Sequence, residues 1–145
     1  MKFLSTLPRY VALAVTAMFG CAAQAADLAV TVENVKDNDG QVMIGLFDSA
    51  DAFPKKVLRG QKVEAGQRDA NGRIRVVFAG IPAGSYAVSV VHDRDGNGRL
   101  TMNMIGIPAE PYGFSGAGGG FGPPQFKDAA VSLSEAGAAI SIQVK

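Results

Sequence analysis

Oxygen-bearing side chains alternate at Asp93, Asp95 and Asn97, with Gly98 directly behind them. Three such groups spaced two apart can converge from one tight loop, and the glycine sits where a sharp bend calls for positive φ. Hard oxygens gathered in this way suit calcium, which takes roughly six to eight of them. Counting from Asp93, the pattern places side-chain ligands at Asp93, Asp95 and Asn97 and a backbone carbonyl at Arg99. Leu100 follows as the apolar residue that pins such a loop to a core. The pattern then departs from the helix–loop–helix calcium motif. Thr101 and Met104 stand where further ligands, including a bidentate acid, belong, and a strand rather than a helix enters the loop. Asn103 and Glu110 are the candidates to complete a shell, Glu110 the more so because Pro108 and Pro111 fix the backbone around it. The same residues also suit a solvated Asx turn closing a strand, with no ion at all.

His92, the one histidine, precedes this loop. Zinc asks for several nitrogen or sulfur donors, and the one cysteine, Cys21, lies in a segment expected to be removed, so zinc is excluded. His92 can hydrogen-bond the loop from a strand end, or act as a general base with Asp93 or Glu110 in a hydrolase. No Gly-x-Ser-x-Gly elbow accompanies it, and no phosphate-binding glycine pattern opens a helix. The run from Gly116 to Gly120 reads as a loop tip. Tyr112, Phe114, Phe121 and Phe126 could offer stacking faces to a sugar or peptide. They could equally plug the open end of a small β-domain, and the plug is the favoured reading because such a domain needs the buried area.

The elements that must position these residues are strands. Leu28, Val30 and Val32 alternate with less apolar neighbours, and Asp39-Gly40 marks a turn. Residues 41–47 are apolar on both faces, which predicts a central strand. Residues 48–56 carry turn chemistry around Phe53-Pro54, and residues 57–64, short and lysine-bearing, suit an edge. Asn71-Gly72 predicts a hairpin turn before the alternating Ile74, Val76 and Phe78. After Pro82 and Gly84, Tyr86, Val88, Val90 and His92 share one face. Residues 130–133 and 140–144 make two more strands around Glu135-Ala136-Gly137. The fold class is all-β: an antiparallel Ig-like or prealbumin-like sandwich of about seven strands, with one long ordered loop over residues 93–128.

The first 25 residues read as a signal peptide. Lys2 and Arg9 form the basic start, Tyr10 to Phe19 the apolar middle, and Ala23-Gln24-Ala25 the cleavage site. Residues 26–145 would then be a single sandwich domain without a disulfide, periplasmic or secreted; lipidation at Cys21 is the minor alternative. Taking Lys2 and Arg9 from the 14 basic residues leaves 12 against 13 acidic ones. That balance argues against an electrostatic nucleic-acid or anionic-membrane surface. The mature chain holds no apolar run long enough for a transmembrane segment.

The string from His92 through Asp93-x-Asp95-Gly96-Asn97-Gly98-x-Leu100 continues with Asn103, Gly106-Ile107-Pro108, Glu110 to Ser115 and Phe121-Gly122-Pro123-Pro124-x-Phe126. It closely resembles the bacterial family of exported proteins called domain of unknown function 2141, over nearly the whole mature chain. The resemblance implies export and a β-domain, and no catalytic residues. Members of that family often carry an acid where Thr101 stands, so this copy is one ligand poorer. The Pro82-x-Gly84-x-Tyr86 passage is similar to prealbumin-like and carboxypeptidase-regulatory-like sandwiches. Taken together, the residues favour a non-catalytic periplasmic or cell-envelope module binding a small ligand or an envelope protein, with the plain Asx turn favoured over a calcium-stabilised loop and calcium kept as the alternative. The rivals are a hydrolase using His92 with Asp93 or Glu110, and a purely structural envelope protein.

Overall fold

A computed structural model describes residues 24–116 and 122–145. Most of the expected signal segment, Cys21 and Phe121 lie outside them. Alternating burial along each apolar run produces eight strands. They are β1 (Ala25–Glu33), β2 (Gln41–Phe47), β3 (Arg59–Glu64), β4 (Ile74–Pro82), β5 (Gly84–Asp93), β6 (Tyr112–Phe114), β7 (Val131–Leu133) and β8 (Ala138–Gln143). Two sheets stack as a sandwich. One is three-stranded in the order β4-β1-β8; the other runs β3-β2-β5-β6, with β7 on the same edge of β5 as β6. Between the layers, Leu28, Val30, Val32, Ile74, Val76, Phe78 and Ile142 meet Val42, Ile44, Leu46, Tyr86, Val88, Val90 and Leu133.

Residues 41–47 form the central strand that their two apolar faces predict. Val42, Ile44 and Leu46 enter the main core, while Phe47 turns to the opposite face. There it joins Phe53, Ala87 and Ala129, with Phe114 and Phe126 packed on them. Phe53 sits at the centre, its ring edge-on to Phe47 at 5.1 Å, Phe114 at 5.7 Å and Phe126 at 6.1 Å. Phe114 and Phe126 therefore cover the outer face of the five-stranded sheet, not the open end of the sandwich that the plug reading assigned to them.

Four further features depart from the sequence reading. β8 pairs with β1 in parallel, Leu28 opposite Ala138 through Glu33 opposite Gln143, so the sandwich is not wholly antiparallel. The chain crosses between sheets from β7 to β8 and cannot form a simple hairpin around Gly137. Asn71-Gly72 does turn, with Asp69 Oδ1 accepting the N–H groups of Asn71 and Arg73 at 2.8 and 2.9 Å. It nevertheless links β3 of one sheet to β4 of the other. Finally, the stretch 93–128 is not one loop: it contains β6 and a one-turn helix, α1 (Phe126–Ala129). Where β6 and β7 leave a gap along β5, Ser115 fills it. Its backbone N–H donates to Val88 O, and its hydroxyl accepts the Val88 N–H at 2.8 Å and donates to Ala129 O at 2.6 Å. Among the described residues, no helix is long and apolar enough to cross a membrane.

Candidate metal centre

Strand β5 ends on two polar side chains that alternation sends to opposite faces. His92 follows Tyr86, Val88 and Val90 inward and is fully buried. Its Nε2 lies 2.9 Å from Asp39 O and 3.5 Å from Asp37 Oδ1, and its Nδ1 has no partner among the described residues. Neither Asp93 nor Glu110 comes within ion-pair distance of the ring. The sequence rival that joined His92 to these acids finds them on the other side of the strand.

Asp93 points outward beneath its own loop and is also fully buried. Across the β2–β5 register it faces Gln41, whose Nε2 donates to Oδ2 at 2.8 Å. The loop then doubles back: Asn97 N–H donates to Oδ1 at 3.1 Å and Gly98 N–H to Oδ2 at 2.8 Å. Gly40 makes this closure sterically feasible. Its φ is +65°, and a Cβ there would collide with the carbonyl oxygens of Asp93 and Arg94. Burial pushes the Asp93 carboxyl upward. The hydrogen bonds donated by Gln41 Nε2 and by the N–H groups of Gly98 and Asn97 outweigh it and hold the group below its ordinary 3.8. Asp93 is thus an anionic, hard oxygen donor at neutral pH.

Glu110 arrives from the far side of the excursion, where His92 N–H donates to Pro111 O at 2.8 Å and ties the returning chain to β5. Its Oε1 accepts the N–H groups of Arg94 at 2.8 Å and Asp95 at 3.3 Å, and its Oε2 accepts Thr101 N–H at 2.9 Å. Asp95 stands exposed above them. Its Oδ1 accepts Asn97 N–H at 3.0 Å, while its Oδ2 accepts the Thr101 hydroxyl at 2.9 Å and the Asn97 side-chain amide at 3.0 Å. Carboxylate oxygens of Asp93, Asp95 and Glu110 all lie within 4.8 Å of one another. Among the described residues the ion pairs of basic side chains are Arg73–Glu33 and Arg94–Asp37, and His92 Nε2 faces Asp37, so no basic side chain neutralises the three. Two buried acids and one exposed acid, uncompensated and converging, can receive a hard divalent cation.

Of the other residues singled out by pattern, Asn97 flanks the cluster with its amide nitrogen toward Asp95 and Thr101, and its oxygen accepts Arg99 N–H at 2.9 Å. Asn103 is turned away. Its side-chain oxygen accepts the N–H groups of Ile105 and Ile107 at 3.0 and 2.9 Å, building a separate Asx turn. Tyr112 and Phe114 stack edge-on at 5.9 Å, and Phe114 and Phe126 close on Phe53 rather than lining a site. The pattern missed Thr101, whose hydroxyl and N–H tie Asp95 to Glu110, and Gln41, visible only through strand register. Against known families, residues 30–141 match the model described as "Uncharacterized protein conserved in bacteria (DUF2141)". That match covers more than half of the chain, which therefore belongs to this family. No curated protein and no solved structure matches the chain.

Proposed function

We propose that this DUF2141 protein is an exported, non-catalytic β-sandwich module that takes up a hard divalent cation, calcium foremost, at Asp93, Asp95 and Glu110. The observation that carries the reading is the convergence of three carboxylates within 4.8 Å with no basic partner. Such a set supplies part of a calcium shell, with carbonyls and water to complete it, and suits the weaker affinities of extracellular modules. The basic start, apolar stretch and Ala23-Gln24-Ala25 site support export. The burial of His92 against Asp39 O, away from Asp93 and Glu110, supports a role other than hydrolysis. The module's partner is a small ligand or an envelope protein.

Bound cation stabilises the folded state by mass action, by about 2.7 kcal/mol at a hundredfold excess over Kd. Calcium should therefore raise the melting temperature of protein prepared in chelator. In Asp95→Asn the calcium-induced rise should largely vanish, while stability in chelator changes by less than about 1 kcal/mol because Asp95 is exposed. An identical melting curve with and without millimolar calcium would remove the cation from this account.

A further inference from the structure

Met102, Met104, Ile105 and Ile107 stand exposed within six consecutive residues. Elsewhere among the described residues, the large apolar side chains left exposed are Val57, Leu58 and Val77. The cluster rides on a built hairpin. Met102 bridges Pro108, Ala109 N–H donates to Thr101 O at 2.8 Å, Asn103 N–H donates to Ile107 O at 2.8 Å, and Gly106 N–H donates to Asn103 O at 3.0 Å. The Asn103 side chain braces the tip through Ile105 and Ile107. Apolar side chains held so firmly in water, away from their own core, mark a contact surface.

The shape and chemistry of the tip select its partner. Met104 is fully exposed and Ile105 is 79% exposed, so the chain builds no rim around them. Protein hot spots favour Trp, Tyr and Arg set inside a water-excluding ring. A narrow projection bearing only aliphatic and thioether groups needs instead a medium that closes round it without matched shape, which the acyl boundary of a bilayer provides. The base of the hairpin adds the electrostatic condition. Thr101 donates its N–H to Glu110 and its hydroxyl to Asp95, which places the acidic cluster directly beneath the tip. Bare, these carboxylates are repelled by anionic headgroups; a divalent cation removes that repulsion and can share itself with lipid phosphate.

We infer that the Met102–Ile107 hairpin enters the interfacial layer of a phospholipid bilayer, with a cation at its base bringing the acidic loop up to the phosphates. The cation part rests on the function proposed above; the apolar tip is a separate observation.

The test is co-sedimentation of the full chain with phosphatidylglycerol/phosphatidylethanolamine vesicles, in calcium and in EDTA, for the wild type and the double variant Met104→Ser/Ile105→Ser. Both proteins carry the same N-terminus, and a third protein with the double substitution and Tyr10 to Phe19 replaced by serines measures what the leader adds. Calcium uptake of each is measured without lipid by titration calorimetry. The wild type should pellet with vesicles in calcium. EDTA, or the double variant with its calcium uptake intact, should lower the bound fraction roughly tenfold or more. If the wild type takes up calcium yet stays in the supernatant, or the variant pellets equally, the bilayer inference is overturned while the cation reading stands. Pelleting without vesicles would assign the tip to a second copy and also overturn it. If calcium is not taken up at all, the cation reading falls. Tip-dependent pelleting that persists in EDTA would then still support the hairpin.

Discussion

Removing the Asp93 carboxylate takes the acceptor from Gln41 Nε2, Asn97 N–H and Gly98 N–H at once. Donors left unpaired in a buried position are costly, so Asp93→Ala should lose about 3 kcal/mol in urea unfolding measured in chelator. The sign of the pH dependence follows from the carboxyl being held below 3.8. Its contribution is complete above that ordinary value and is lost as pH falls through the lower folded value. Asp93→Asn should flatten this part of the acid limb, and an unchanged limb would count against the hydrogen bonds assigned to Asp93. At this scale spacing made Asp93 and Asp95 legible, and the prolines flanking Glu110 marked it as the acid to complete them. Thr101 was misjudged because position counting treats it only as an absent ligand, whereas its hydroxyl and N–H bind neighbouring acids. Asn103 was misjudged because an Asx turn and a metal ligand look alike in one dimension.

Short elements carry the joints of this fold. At β6, Gly113 passes so close to β8 that an added Cβ would lie 2.6 Å from Gln143 O and 2.9 Å from Ile142 Cγ2. Gly113→Ala should cost about 2 kcal/mol through overpacking, with hydrogen exchange quickening in β6 and β8 together. Ser115→Ala leaves the Val88 N–H and the Ala129 carbonyl without their buried partner, a loss of about 2 kcal/mol that denaturant midpoints would detect. Strands with period-two alternation, such as β1, β4 and β5, were legible as strands. Their pairing was not: Ala138–Gln143 alternates equally well beside a parallel or an antiparallel neighbour, and only the sheet decides. β6 was missed because Pro111, Gly113 and Gly116 in and around it read as loop, whereas the equally short β7 showed as an apolar run.

Across the whole molecule, the two layers are stitched by the segment after β8. Val144 is fully buried and its N–H donates to Glu33 O, while the next residue exchanges both backbone hydrogen bonds with Tyr112 of the opposite sheet. Asn34 Nδ2 adds a bond to Val144 O at 2.7 Å. Deleting Val144 and Lys145 should therefore lower stability by about 3 kcal/mol, with both sheets melting together; an unaffected melting temperature would show that the stitch is idle. The sandwich class itself was legible from turn spacing and patterning, since each amphipathic sheet must bury one face on another. A further consequence lies in the order of manufacture. β1 occupies the middle of its sheet, between β4 and β8, and β8 leaves the ribosome after every other described strand. Contacts that join such distant stretches form slowly and late. The three-stranded sheet stays without its second edge until translation has passed β8, and only then can the layers lock.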